Sequence, residues 1–466
     1  MASRVAFGRS GAGHHDAPRI AVVGCGFTGA AAAAALLRRR PGRFDLTLID
    51  GAGSRGQGLA YGRARNGELL NVRARDLALL HEDRGDFAHW LRETLLTFGS
   101  TRRPPDFGDI FVPRDLFGQY VEDRLETEIE KRPDVSVQHV IGDAIRLRRH
   151  DGGYQIDLAR DRPVMCDGVV LATGYSARPR FGIAPYSNEL EQAARAARTI
   201  VIAGSGLTAV DVLLYLRAAG SEAEIMMVSR RGLTPRPQLQ TAPEAWAWEA
   251  GLAHTASELF ANVRRACRDA QSAGQPWQSV IHGLRSHTCD FWRALPNVEQ
   301  RRLLRHAGAF WAAHRHRLPA DIHQRLRLEL ARPNTSLRAG SVISVEERDR
   351  FEVSVRWRGK QPVSKVSANL VVDCTGHKPD LSTPLLSGLL HDGYGRTDPH
   401  GIGLNVDPAG RVANIKGQHS QSLFALGPLG AGALLEITAA PDIARQAHAM
   451  ADAMREEQPV RHRRLA

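Results

Sequence analysis

A chain of 466 residues has room for two or three domains with cores of their own, and its 43% hydrophobic content sets it apart from disordered chains. The net charge of +12 comes almost wholly from arginine, and with no recognition helix or RNA-binding motif beside it the charge suits anionic cofactors and substrates better than nucleic acid. No apolar run reaches the roughly 18 residues of a membrane span, and the five cysteines form no CxxC pair, which argues against a zinc knuckle or redox dithiol and fits a reducing cytoplasm.

Residues 1–18 lack the apolar core of a signal peptide and read as a loose tail. From Arg19 to Asp50 the pattern is strand, glycine turn, helix, strand. Ile20–Val23 runs into Gly24-Cys25-Gly26-Phe27-Thr28-Gly29, an Ala/Leu helix follows, and Phe44–Ile49 ends at Asp50, 21 residues after Gly29. Each part suits a dinucleotide. Gly24 allows the tight turn, Gly26 leaves room for the pyrophosphate, and Gly29 lets the helix lie close to the sheet. The helix N-terminus offers N–H groups to phosphate, and Asp50 can accept from a ribose 2′-OH.

The glycine-rich loop Gly51–Gly58 precedes Leu59-Ala60-Tyr61-Gly62 and Leu69-Leu70-Asn71-Val72, a region able to close over a flavin ring or to serve as an ordinary loop. Helical spacing over Asp86–Leu96 and Asp115–Ile129 aligns Phe87, Trp90, Leu91 and Leu95, then Phe117, Tyr120 and Val121, as core stripes. Val135–Val140, Ala144–Leu147 and Tyr154–Leu158 read as a small antiparallel sheet. A buried strand then ends in Ala172-Thr173-Gly174-Tyr175, small enough for a dinucleotide to pass nearby.

The opening pattern returns at Thr199. Ile200–Ala203 enters Gly204-Ser205-Gly206-Leu207-Thr208-Ala209, a helix runs past Asp211, and the strand Ile225–Val228 ends at Ser229-Arg230-Arg231. Arg230 lies 21 residues after Ala209, so a base stands where the first copy has its acid. An acid suits a free 2′-OH, and arginine suits a 2′-phosphate. The first copy thus reads as an FAD site and the second as an NADPH site. Residues 240–335 are mostly helical and rich in tryptophan, arginine and histidine. His314, Arg315 and Arg317 either lie on a partly exposed structural helix or are candidates for holding an anionic substrate or the nicotinamide phosphates, and no carboxylate or cysteine is spaced to make a metal site with His314 and His316. Strands resume at Val342–Val345 and Phe351–Arg356. Leu370–Val372 runs into Thr375-Gly376-His377, an echo of the earlier strand end, and Leu423–Leu426 runs into Gly427-Pro428 before a C-terminal helix whose N-terminus could face the flavin pyrimidine.

The first glycine motif, Gly58-Leu59-Ala60-Tyr61, Leu70-Asn71-Val72 and Val112-Pro113-Arg114 together resemble, in order, the FAD-NAD(P)-binding protein family. Trp311–Arg317 and Glu436–Arg445 fit it as well. The resemblance implies cofactor contacts from Gly58, Ala60, Tyr61, Asn71, Val72 and Arg114. Some members are similar to amino-acid N-hydroxylating monooxygenases, including aspartate N-oxygenases. The expected fold is α/β, with two Rossmann-like three-layer domains: FAD-binding over 19–180 and 369–466, and an NADPH-binding domain over 195–368 inserted between them. In the expected reaction NADPH reduces the flavin, and oxygen then forms a C4a-(hydro)peroxyflavin that oxygenates a small amine. A flavin reductase or oxidase passing electrons to a quinone, partner or oxygen shares every motif. A non-catalytic FAD- and NADPH-binding regulatory protein is the non-enzymatic alternative.

Overall fold

Ile20–Val23 is apolar on both faces, as the central strand of a doubly covered parallel sheet must be. The computed structural model describes residues 17–62, 68–97, 107–175, 178–249, 251–359, 362–376 and 378–456; His377 lies outside them. Strand β1 (Arg19–Val23) pairs in parallel with β2 (Asp45–Asp50), and β2 with β3 (Ser136–Ile141). The 114–130 helix is the crossover that returns the chain beside β2, so 136–141 belongs to this sheet and not to a small antiparallel one. That small sheet consists instead of β4 (Ala144–His150), β5 (Gly153–Leu158) and β6 (Val164–Cys166). Next comes β7 (Gly168–Leu171), parallel to β1 on its other side.

The second sheet begins with β8 (Thr199–Ala203) and β9 (Glu224–Ser229), again parallel neighbours. Six α-helices between 256 and 330 follow before β10 (Thr335–Glu347). Thr255 caps the first of them by accepting from the Glu258 N–H, and Pro276, Pro296 and Pro319 each stand just ahead of another. β10 then pairs in parallel with β9 and, further along, antiparallel with β11 (Phe351–Trp357), which pairs with β12 (Ser364–Ala368).

The strand β13 (Leu370–Asp373) lies parallel to β8, so 370–373 completes the second sheet, and the division at residue 369 falls too early. Its apolar run matches the flank that β8 leaves open, just as β7 matches β1. The chain re-enters the first domain by the Pro384–His391 helix, whose Leu385, Leu386 and Leu389 join the core there. β14 (Arg411–Ala413) and β15 (His419–Ala425) finish the first sheet in the order β14-β15-β7-β1-β2-β3. The second sheet has the order β12-β11-β10-β9-β8-β13. Each sheet carries apolar cores on both faces. Among the described residues no helix is long and apolar enough to cross a membrane.

Candidate functional site

Both glycine motifs fold into the same local shape. Gly26 and Gly206 start their helices with φ −75° and −79°, and neither helix receives a side-chain cap. The first-turn N–H groups at each helix start are therefore open to an anion. Gly24 and Gly204 take positive φ and press on the neighbouring strand ends: a Cβ would come 2.5 Å from the Ala172 carbonyl oxygen and 2.1 Å from that of Cys374. Small residues at both strand ends thus share one cause, the close passage of the turn. Gly174 and Gly376, just beyond, also have positive φ with open space at the Cβ position. Gly427 completes the first site, its backbone lying against Thr28 at the start of the helix, with Pro428 next in line.

Beyond the turns the two sites diverge. The Asp50 carboxylate accepts N–H bonds from Cys25, Ala52 and Ser54 at 2.8, 2.9 and 3.0 Å, tying the 51–58 loop to the turn. Gly58 faces Gly26 so closely that a Cβ on Gly58 would come 2.8 Å from the Gly26 Cα. In the second site Ser205 donates to Ser229 instead, while Arg230 is exposed and Arg231 lies over the Phe310 ring at 5.6 Å. A cleft of about 940 Å³ opens there, bordered by Gly204–Thr208, Ser229–Arg231, Thr375, Gly376 and His316. Ala209, by contrast, is fully buried beneath its helix.

The other expected cofactor contacts scatter around these turns. Tyr61 packs edge-on against Phe27 and Phe117, at 6.0 and 4.9 Å, within the aromatic core, whereas Ala60 is exposed. Arg114 reaches across to the second domain and pairs with Asp211 at 2.8 Å, beside Tyr186. Burial works against both charges: it pushes the Asp211 carboxyl up, while Tyr186, Asp211 and Glu68 keep the Arg114 guanidinium charged. Sequence reasoning missed Asp211 as a domain-bridging residue because nothing in a helix pattern marks a partner 97 positions away. Val72 packs on the first core, and the Asn71 carbonyl accepts from Gln238, which in turn accepts from Arg317 at 2.9 Å.

The basic run divides into three roles. His314 hydrogen-bonds the Phe310 carbonyl at 2.8 Å and its ring lies edge-on to Trp277. Arg315 pairs with Glu436 at 3.2 Å and lies 3.8 Å from Asp442, which ties it to the first domain. Arg317 is 7% exposed and makes no ion pair among the described residues. Burial, with Arg315, Arg73 and Arg285 nearby, lowers its pKa to about 10. Glu436 also accepts from Trp311 Nε1 at 2.7 Å. Although burial works against its charge, Arg315 and His316 hold its carboxyl below the usual range. Leu435, just before it, sits at φ 61° with the Glu436 N–H bonded to the Leu434 carbonyl, a strained γ-turn that aims the carboxylate at the helical insertion. That strain is invisible in sequence.

The residues fit the groups expected of them. Two uncapped helix starts present first-turn N–H groups, the first covered by the backbone of Gly58 and the second facing the large cleft, which Arg230 and Arg231 line just beyond the end of β9. Residues 21–176 match the family model described as FAD-NAD(P)-binding. The ornithine N-hydroxylase of Kutzneria sp. 744, solved with reduced FAD, NADP+ and L-ornithine, is 16% identical, with a TM-score of 0.61. The reduced ornithine hydroxylase of Pseudomonas aeruginosa is 14% identical (TM-score 0.60), and the L-lysine 6-monooxygenase of Pseudomonas syringae 16% identical (TM-score 0.60). Each comparison covers 94% of this chain and 99% of the other. The likeness establishes the two-domain α/β fold over nearly the whole length. The curated proteins contain no match to the chain.

Proposed function

We propose that the protein is an FAD- and NADPH-dependent monooxygenase that N-hydroxylates a small amine or amino acid bearing an anionic group. The observation that carries this reading is the pairing of two uncapped glycine-turn helices, one followed by a strand that ends in Asp50 and the other by a strand that leads into Arg230 and Arg231 at the large cleft. The match in fold to amino-acid N-hydroxylases along 99% of their length adds to it. Bound FAD would supply the redox chemistry, drawing electrons from NADPH and activating oxygen.

The chain's own part is binding and exclusion. The helix starts at Gly26 and Gly206 hold pyrophosphates, Asp50 keeps the first turn rigid, and Arg230 with Arg231 receives the 2′-phosphate. Ala312, Ala313 and His316 wall the cleft against water, held there by the Arg315–Glu436 pair. Arg317 has the strongest claim on an anionic substrate group, because a buried guanidinium without a carboxylate gains most from one.

The test begins with anaerobic stopped-flow mixing of the flavin-loaded protein with NADPH and with NADH. Hydroxylamine and hydrogen peroxide are then assayed in air over a panel of amino acids and amines. NADPH-selective bleaching with hydroxylamine formation supports the reading. Bleaching that yields only peroxide with every amine points to an oxidase or reductase, and a flavin that NADPH cannot bleach points to a binding protein. Arg317→Ala should raise the KM for the anionic substrate at least tenfold; an unchanged KM removes Arg317 from the site.

A further inference from the structure

The strand β10 changes partners at Gly340. Up to Ala339 it runs parallel to β9, with Ala339 opposite Ser229; from Gly340 onward it pairs antiparallel with β11, with Gly340 opposite Trp357 and Ser341 opposite Arg356. The Arg358 N–H then bonds the Ala339 carbonyl at 2.9 Å. This switch brings the end of β11 alongside Arg230, the residue that follows β9. Between them lies a hollow of about 330 Å³, lined by Arg230, Gly340, Ser341, Arg356, Trp357 and Arg358. Arg230, Gly340 and Ser341 also border the large cleft, so the two spaces are continuous.

The hollow has the chemistry of a nucleotide end. Arg230, Arg356 and Arg358 are exposed, none forms an ion pair among the described residues, and no carboxylate stands in the lining. Three unneutralised guanidinium groups around one space favour a multiply charged anion. Trp357 supplies a flat ring beside them, and the Arg338 guanidinium packs over that ring 4.1 Å from its centroid. Gly340 is bare where the indole approaches: a Cβ there would stand 2.9 Å from Trp357 Cε3. A dinucleotide with its pyrophosphate at Gly206 has its ribose at the end of the following strand, at Arg230, and its base lies further out in the same direction.

We propose that this hollow is the adenosine 2′-phosphate subsite, with Trp357 as the stacking platform for adenine and with Arg356 and Arg358 sharing the phosphate with Arg230. The proposal rests on the reading of the second glycine turn as the NADPH site. It adds that the antiparallel extension β10–β11, outside the dinucleotide motif itself, shares with Arg230 the choice of NADPH over NADH.

Calorimetric titration of the flavin-loaded protein with 2′,5′-ADP, 3′,5′-ADP, 5′-AMP, NADPH and NADH tests it. Joint Arg356→Ala and Arg358→Ala should weaken 2′,5′-ADP and NADPH at least tenfold while leaving 5′-AMP and NADH within about twofold. Trp357→Leu should weaken all the adenine nucleotides about tenfold, and Trp357→Phe should retain most of the affinity. The exposed arginine pair keeps the test decisive if the tryptophan variant folds poorly. Wild-type affinities preserved in the arginine double variant, or 3′,5′-ADP bound as tightly as 2′,5′-ADP, would overturn the proposal. Protein that binds 2′,5′-ADP through Trp357 but is not reduced by NADPH breaks the monooxygenase reading and leaves the subsite standing; protein that binds none of the five ligands refutes both.

Discussion

The two glycine turns have nearly the same backbone and opposite surroundings. At the first, the charged residue closing the second strand is turned inward: Asp50 accepts from three backbone N–H groups and the loop folds back until Gly58 meets Gly26. At the second, Arg230 points outward and the turn opens on a cleft of about 940 Å³. The difference teaches that the motif specifies a backbone, while the segment leaving the second strand decides access. A site closed by its own loop suits a cofactor that stays, and an open one suits a cofactor that comes and goes.

The sharpest way to break the comparison is at the turns themselves. Gly24→Ala and Gly204→Ala each force a side chain at positive φ into a carbonyl oxygen, and each should destabilise its domain by roughly 2–6 kcal/mol, read as the denaturation midpoint. Gly206→Ala meets nothing within 4 Å. It should leave the midpoint within about 0.5 kcal/mol of wild type and weaken NADPH binding instead. Equal losses from Gly204→Ala and Gly206→Ala would mean that the second turn is as closed as the first.

Next comes the wall of the open cleft. Arg315→Met leaves Glu436 nearly buried without its strongest counter-charge, at a cost of about 3–5 kcal/mol. It should also raise the NADPH KM while flavin retention holds, since only the second site borrows that wall. A smaller loss, roughly 1–3 kcal/mol with reduced flavin retention, is expected for Asp50→Asn, which keeps one acceptor oxygen for three donors. Arg230→Ala, by contrast, should leave thermal stability alone and raise the NADPH Kd about tenfold, without change for NADH.

The smallest effect is one of pH. Burial holds His81, His139, His282, His316, His323 and His400 below the usual histidine range. The unfolded chain takes up these protons near pH 6.5, and the native protein resists them. Stability is therefore fully present above about pH 6.5 and lost as the pH falls below it. The melting temperature should drop between pH 7 and pH 5, and His316→Gln should flatten part of that slope.

Much of the fold could be read in the sequence. The helices marked by Phe87 and Leu91 and by Phe117 and Tyr120 bury those side chains completely, and both strand-turn-helix units lie where their spacing put them. What misled was strand allegiance. Ser136–Ile141 and Leu370–Asp373 are recognisable as strands, but each can be assigned to a sheet only from its hydrogen-bonded partner. The basic run was equally ambiguous: Arg315 and Arg317 look alike in sequence, and only Glu436, reached through the γ-turn at Leu435, separates a structural cation from an unpaired one.

By itself, then, the sequence determined the local backbone, namely the two turns, the helices they start, the acid that ends β2 and the arginine that follows β9, one residue beyond the counterpart of that acid. These depend on glycine's freedom at positive φ and on apolar periodicity, which act over a few residues. Only the tertiary structure decided which charges are consumed and which remain free, because a charge is neutralised by whatever lies within a few ångströms in space. For Asp50 that is its own loop, for Arg114 it is Asp211 across the domain boundary, and for Arg230 no carboxylate comes so close among the described residues.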